Sequence, residues 1–194
     1  MIFKDYIEVI KSTEETKDLT FGYIAYTYVS GVMRHASLYV KALGDTASEA
    51  IKLPKRTLNK WGNEVDVAGF VSGVFQGKDR VTDIILHSGV GGIPDAAFKG
   101  CTNLKRITIP KNVKKIGHDT FAGCDSLEDV YYEGTMEQWE KIEIYTGKRI
   151  VELGKQIPGT PVCEVTDDYF KHDSGNDALL RANIHFQCVF DADE

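Results

Sequence analysis

Cysteine is sparse in this sequence, with four in 194 residues, and no two of them form a CxxC pair. That excludes the two-pair spacing of a structural zinc site. No run of about 18 apolar residues, the length needed to span a bilayer, occurs anywhere. The opening stretch MIFKDYIEVIKSTEETKD has neither the apolar segment of about 7 to 15 residues nor the small-residue cleavage site of a secretory leader. As written, the chain is expected to stay in the cytoplasm without membrane insertion; as part of a longer protein it would be expected at the cell surface or secreted. Positive charge is also short, with 23 Lys and Arg against 29 Asp and Glu and a net charge of −6. The basic stretch Lys105 to Lys115 is interrupted by apolar residues, so no phosphate-binding surface for nucleic acid is expected. GGIP after Val90 lacks the following G-K-[ST] of a phosphate loop and reads as a turn.

What is present suits an ordinary soluble chain: 42% hydrophobic and 27% charged residues, enough for one continuous core or a core with a small cap. Within it, FKGCTNLKRITIPKNVKKIGHDTFAGCDSLEDVYY nearly repeats itself. Phe98 and Phe121, Cys101 and Cys124, Ile93 and Ile116, and Leu104 and Leu127 all stand 23 positions apart. The same step backward sets Phe75, Val81, Ile84 and Leu86 on Phe98, Leu104, Ile107 and Ile109. The step forward sets Val130 and Tyr132 on Ile107 and Ile109.

A fixed period of about 20 to 29 residues, with an apolar pair at spacing two in every copy, marks a leucine-rich solenoid. Each copy holds one short strand. In ITI, Ile107 and Ile109 point inward and Thr108 outward, because strand side chains alternate between faces. IGHDTFAGC then returns the chain along the opposite side, with Ile116, Phe121 and Cys124 filling the interior. The fold class is therefore α/β to mostly β: a right-handed solenoid with short parallel strands, an N-terminal β-strand cap and an insertion near the C-terminus. Leu86, Ile109, Tyr132 and Phe186 should share one inward column.

The spacing I-x-I-P followed by I-G-x-x-x-F-x-G-C-x-x-L, from Ile107 to Leu127, resembles the BspA-type leucine-rich repeat of many bacterial proteins. YYEGTMEQWEKIEI and, after an insertion, SGNDALLRANIHFQC are similar to the way such arrays finish. The resemblance covers roughly residues 51–144 and 174–188. It implies protein binding, since these arrays are associated with adhesion and with host or matrix proteins.

An earlier copy begins at Ile51, Leu53 and Pro54. Ten additional residues before Phe75 are expected to bulge out around NKWGNEVD, with Trp61 packing that loop on the coil. Residues 1–50 lie outside the repeat and read as a cap, because a solenoid cannot leave its terminal core open to water; residues 51–194 form the array. FGYIAYTYV and HASLYVKA alternate as paired strands do, and FKDYIEVI has helical spacing. In TMEQWEKIEI, Thr135 and Gln138 make a capping box, and Trp139 is expected to seal the interior. Residues 145–173 break the period.

Several groups invite a chemical reading. Cys101 and Cys124 occupy equivalent positions and are expected to be reduced, buried fillers. DDYFKHDSGND offers Asp167, Asp168, His172, Asp173, Asn176 and Asp177, but it fails the calcium-loop pattern. It reads as a solvated turn with a helix N-cap. Cys163 and His172 lack the flanking signature of a nucleophile. No catalytic residue, cofactor or metal is therefore expected, and the alternative to a noncatalytic binding module is a hydrolase or metal-dependent enzyme built on residues 145–173. If Ile84, Leu86, Ile107, Ile109, Val130 and Tyr132 point inward, the outer face carries Asp83, Arg106 and Asp129 in one column. Ile85, Thr108 and Tyr131 form the next, with His87 and Glu133 at the margin. This face is the candidate site for another protein, with oligomeric state left open.

Overall fold

A computed structural model describes residues 19–29, 32–44, 49–58, 62–145 and 175–188. The helix expected over FKDYIEVI, the residue Trp61, and the excursion beyond Tyr145, with Cys163, Asp167, Asp168, His172 and Asp173, lie outside these residues. No helix among the described residues is long and apolar enough to cross a membrane.

The repeat strands are β3 (Ala50–Lys52), β6 (Asp83–Ile85), β7 (Arg106–Ile109), β9 (Asp129–Tyr132) and β11 (Asn183–Phe186). They form one five-stranded sheet in the order β11-β9-β7-β6-β3, parallel throughout. Asp83 pairs with Arg106 and Arg106 with Asp129, so the 23-residue echo is the sheet register. The register survives the excursion: Asn183 pairs with Asp129 and Phe186 with Tyr132. At the other end Ile51 pairs with Ile84, which makes IKLP the first copy.

Inward, Ile84, Leu86, Ile107, Ile109, Val130 and Tyr132 are buried. From the returning side Phe75, Phe98 and Phe121 stack with ring centroids 5.4 and 5.3 Å apart. The returning side also carries its own backbone ladder: Phe75 N–H donates to Ala97 O, Phe98 N–H to Thr120 O, and Phe121 N–H to Gly175 O. Further round each coil, β8 (Lys115–Ile116) pairs parallel with β10 (Glu143–Ile144), and Ile93 bridges to Ile116. Cys101 and Cys124 are free and buried. Burial pushes their thiols up to about 11 and about 12, so neither supplies a thiolate nucleophile near neutral pH.

FGYIAYTYV and HASLYVKA lie in β1 (Leu19–Val29) and β2 (Val32–Leu43), an antiparallel pair. The ten additional residues do not simply bulge. They form a hairpin of β4 (Arg56–Leu58) and β5 (Glu64–Phe70), and β5 pairs parallel with β2 to complete a sheet in the order β1-β2-β5-β4. The insertion thus fastens the cap sheet to the array. Val67 and Phe70 enter the common core, and Phe70 lies 5.5 Å from Phe75 and 5.8 Å from Phe98 between ring centroids.

Helix α1 (Met136–Trp139) starts at Thr135 with the expected capping box. The Thr135 hydroxyl accepts from Gln138 N–H at 3.3 Å, and Gln138 Oε1 accepts from Thr135 N–H at 2.9 Å. Trp139 meets Tyr132 edge-on at 5.2 Å and remains partly exposed. Helix α2 (Asp177–Arg181) buries Ala178 and Leu179. Its N-cap, Asn176, departs from the solvated turn expected there, because the residue is fully buried. Instead of capping α2, its amide donates to Gly117 O at 2.8 Å and Tyr145 O at 2.7 Å, and its oxygen accepts from Phe121 N–H at 3.3 Å. A buried amide holds its place only if its polar atoms are paired, and neighbouring coils supply the partners.

Candidate functional site

Alternation in the five-stranded sheet leaves one face outward. Pairing places Ala50, Asp83, Arg106, Asp129 and Asn183 in one row across the strands and Lys52, Ile85, Thr108, Tyr131 and His185 in the next. The structure therefore brings Asp83, Ile85, Arg106, Thr108, Asp129 and Tyr131 onto the face read from the sequence. Two positions differ from that reading in exposure. Thr108 is only 4% exposed: a small side chain on the middle strand, it sits between Ile85 and Tyr131 at the strand spacing of about 4.8 Å and is covered by them. His87 is 1% exposed, because the turn after β6 folds back on its ring, with Gly89 set between the imidazole and the Val67 carbonyl oxygen of β5. Glu133 is half-buried, and its carboxylate accepts from Lys111 N–H at 3.4 Å.

The charges on the face are organised in pairs. Arg106 Nε donates to Asp83 Oδ1, and Thr82 Oγ1 donates to Asp83 Oδ2 at 2.7 Å. The Arg106 hydrogen bond holds the Asp83 carboxyl below the usual carboxylate range, against partial burial. Asp83 in turn raises the already high value of the Arg106 guanidinium, with smaller contributions from Tyr131 and Asp129. At the far side, Asp129 Oδ1 lies 2.8 Å from His185 Nε2. The His185 ring stacks on Tyr131 with centroids 4.8 Å apart and planes 18° apart. His185 was missed in the sequence, although its signal was there. Once Phe186 is set on Tyr132 in the inward column, the preceding residue must fall beside Tyr131.

The arrangement supplies a sheet surface with the Tyr131–His185 ring pair beside the Asp83–Arg106 ion pair. Among the described residues no group of three or more His, Cys, Asp or Glu side chains could hold a metal ion. A cleft of about 550 Å³ opens elsewhere, between β5 and the turn before β8, lined by Tyr39, Phe70, Ile93 and several glycines. Its charged lining residues are Lys115 and Asp95, whose carboxylate accepts from His118 N–H at 2.8 Å.

Residues 69–150 match a family model described as "BspA type Leucine rich repeat region (6 copies)". Among solved structures, a leucine-rich repeat protein from Bacteroides capillosus is similar over 64% of this chain and 82% of that one, at 19% identity and a TM-score of 0.51. A leucine-rich repeat protein from Bacteroides ovatus aligns over 63% of this chain and 33% of its own length, at 27% identity and a TM-score of 0.46. A search of curated proteins finds no match. The first likeness bears on fold alone. Residues 69–150, which hold the middle strands β6, β7 and β9 of this sheet, match the BspA-type leucine-rich repeat family model.

Proposed function

We propose that the chain is a noncatalytic protein-binding module whose contact surface is the outer face of the five-stranded sheet, centred on Tyr131. Stacked repeats build extended rigid surfaces, and leucine-rich arrays serve as protein-interaction modules. The observation that supports this face is the Tyr131–His185 stack, with His185 held in turn by Asp129. An aromatic ring fixed before contact loses little rotamer freedom on binding, and Tyr is among the residues that dominate interface energetics. The finer form of the proposal is adhesin-like binding of another protein at a cell surface.

The test is affinity capture with the intact protein from its native cell, followed by binding measurements on the purified partner. Tyr131→Ala is expected to weaken binding by about 1–2 kcal/mol. It should also cost about 0.5–1.5 kcal/mol of stability through the lost stacking, which a thermal melt measures separately. If a combined Ile85, Arg106 and Tyr131 replacement that still folds binds the partner as well as wild type, the sheet face is not the site. Protease shaving of intact cells tests the adhesin-like form, which requires the protein to be outside.

A further inference from the structure

His87 lies where the first coils of the array meet the β4–β5 hairpin. Its Nδ1 accepts from Gly89 N–H at 3.0 Å, so the neutral ring carries its proton on Nε2. That Nε2 has no partner among the described residues, and neither has the buried hydroxyl of Thr57 in β4. The turn packs closely on the ring: a Cβ built at Gly89 would stand 2.8 Å from His87 Cε1 and 3.4 Å from the Val67 carbonyl oxygen of β5. The charged groups acting on the ring both come from the hairpin, Lys55 ahead of β4 opposing a positive imidazole and Asp66 on β5 favouring it.

We propose that His87 is an acid-sensitive latch that seats β4 and the first half of β5 against the array while neutral and releases them when the ring takes up a second proton. Protonation turns Nδ1 into a donor facing the Gly89 N–H, which loses its acceptor, and leaves a buried cation with no counter-ion in contact among the described residues. Burial, reinforced by Lys55 and opposed by Asp66, lowers the imidazole from 6.5 to about 4. Because the value is depressed in the closed state, the open state binds the proton first. Closure is at full strength above about pH 6.5 and weakens as the pH falls toward about 4.

The part that opens is local. In β4 only Thr57 is buried, with Arg56 and Leu58 exposed on either side. The ion pairs of Arg56 with Glu64 and Asp66 lie at the surface, where such pairs contribute little. Val67 and Phe70 stay anchored in the core. Segments with few buried apolar contacts open at low free energy.

The test is nuclear magnetic resonance of the full chain between pH 7 and 4.5, following the His87 imidazole and the amide exchange of residues 56–58 and 64–66, corrected for intrinsic pH dependence. The open fraction of these residues should rise about twentyfold between pH 7 and pH 5, while β7 and β9 amides keep their protection. His87→Gln, which cannot take a second proton, should abolish the rise. Should that variant fold poorly, two surface changes serve instead: Lys55→Gln should move the midpoint up in pH and Asp66→Asn should move it down. A His87 that titrates near 6.5 with the hairpin still protected overturns the latch. So does a rise that persists in His87→Gln, or a midpoint that neither surface change moves.

Discussion

The array and the capping sheet use strands in opposite ways. In the array, strands of two to four residues suffice because each coil repeats the last one's solution: inward Ile or Leu on Ile, Phe on Phe, and a backbone ladder on both the strand side and the returning side. In the cap, β1 and β2 run for 11 and 12 residues, and their pairing shifts register at three places. A position in β6, β7 or β9 is thus fixed by two neighbours that share its geometry, whereas the cap strands pair with neighbours of different length and direction, antiparallel for β1 with β2 and parallel for β2 with β5. A fault in a middle coil should disturb two interfaces at once, as expected where stability is a sum of repeat and nearest-neighbour terms. A fault at the cap's edge should stay where it is made.

The largest expected difference follows from that contrast. Phe98 is fully buried and touches the rings of Phe70, Phe75 and Phe121. Phe98→Ala should cost about 3–5 kcal/mol, the range for a large-to-small change in a core. Leu58→Ala, at a β4 position 36% exposed, should cost less than about 0.5 kcal/mol. Equilibrium denaturation of both variants measures the ratio. Comparable losses would mean that the coils do not share their core as the ring stack indicates.

Asn176 comes next, because it joins the coil before the excursion to the one after it. Asn176→Ala leaves the Gly117 and Tyr145 carbonyls without their amide donor in a buried site, while Phe121 N–H keeps Gly175 O. The expected cost is about 1–2 kcal/mol, because the Tyr145 carbonyl loses this donor while Gly117 O still accepts from the Thr120 hydroxyl at 2.9 Å. Asn176→Asp should do no better, since a carboxylate cannot donate to two carbonyls. If the Asn176→Asp change retains full stability by denaturant titration, the buried amide is not what closes this junction.

What could be read from the sequence was whatever repeats. The 23-residue step gave the inward columns, the phenylalanine stack and the outward rows, because one period forces one register on every strand. Non-repeating features needed long-range contacts. The ten residues before Phe75 carried no signal that β5 would pair with β2, since that pairing depends on a strand from outside the repeat. His87 sits two residues beyond β6 and looked like a margin residue, because the Gly89 turn that closes on its ring lies against β5, outside the repeat. Asn176 looked like a turn residue because Asn beside Gly and Asp commonly is one; its burial follows from carbonyls on a coil nearly sixty residues earlier. On the sheet face, the rows were legible and the place of His185 beside Tyr131 followed from Phe186 in the inward column, but the ring stack itself was not, because a period sets register and not side-chain orientation.

The smallest expected effect probes the repeat where side chains matter least. At equivalent positions on three coils, Gly73, Ala96 and Asp119 take φ values of +67°, +52° and +52°, the left-handed region that costs a residue with a Cβ about 1–2 kcal/mol. The returning ladder holds the first two of them: Gly73 N–H donates to Asp95 O, and Ala96 N–H donates to His118 O. Asp119 is a poor place to test this, because its carboxylate also pairs with Lys99 at 2.8 Å. Ala96 carries only a methyl group. Ala96→Gly should relieve the strain while adding about 0.5–1 kcal/mol of backbone entropy to the unfolded chain, for a net gain of about 0.5–1 kcal/mol. Gly73→Ala should move stability the opposite way. Denaturant midpoints at unchanged slope would report both, and a loss of stability in Ala96→Gly would show that the middle coil does not hold the conformation its neighbours impose.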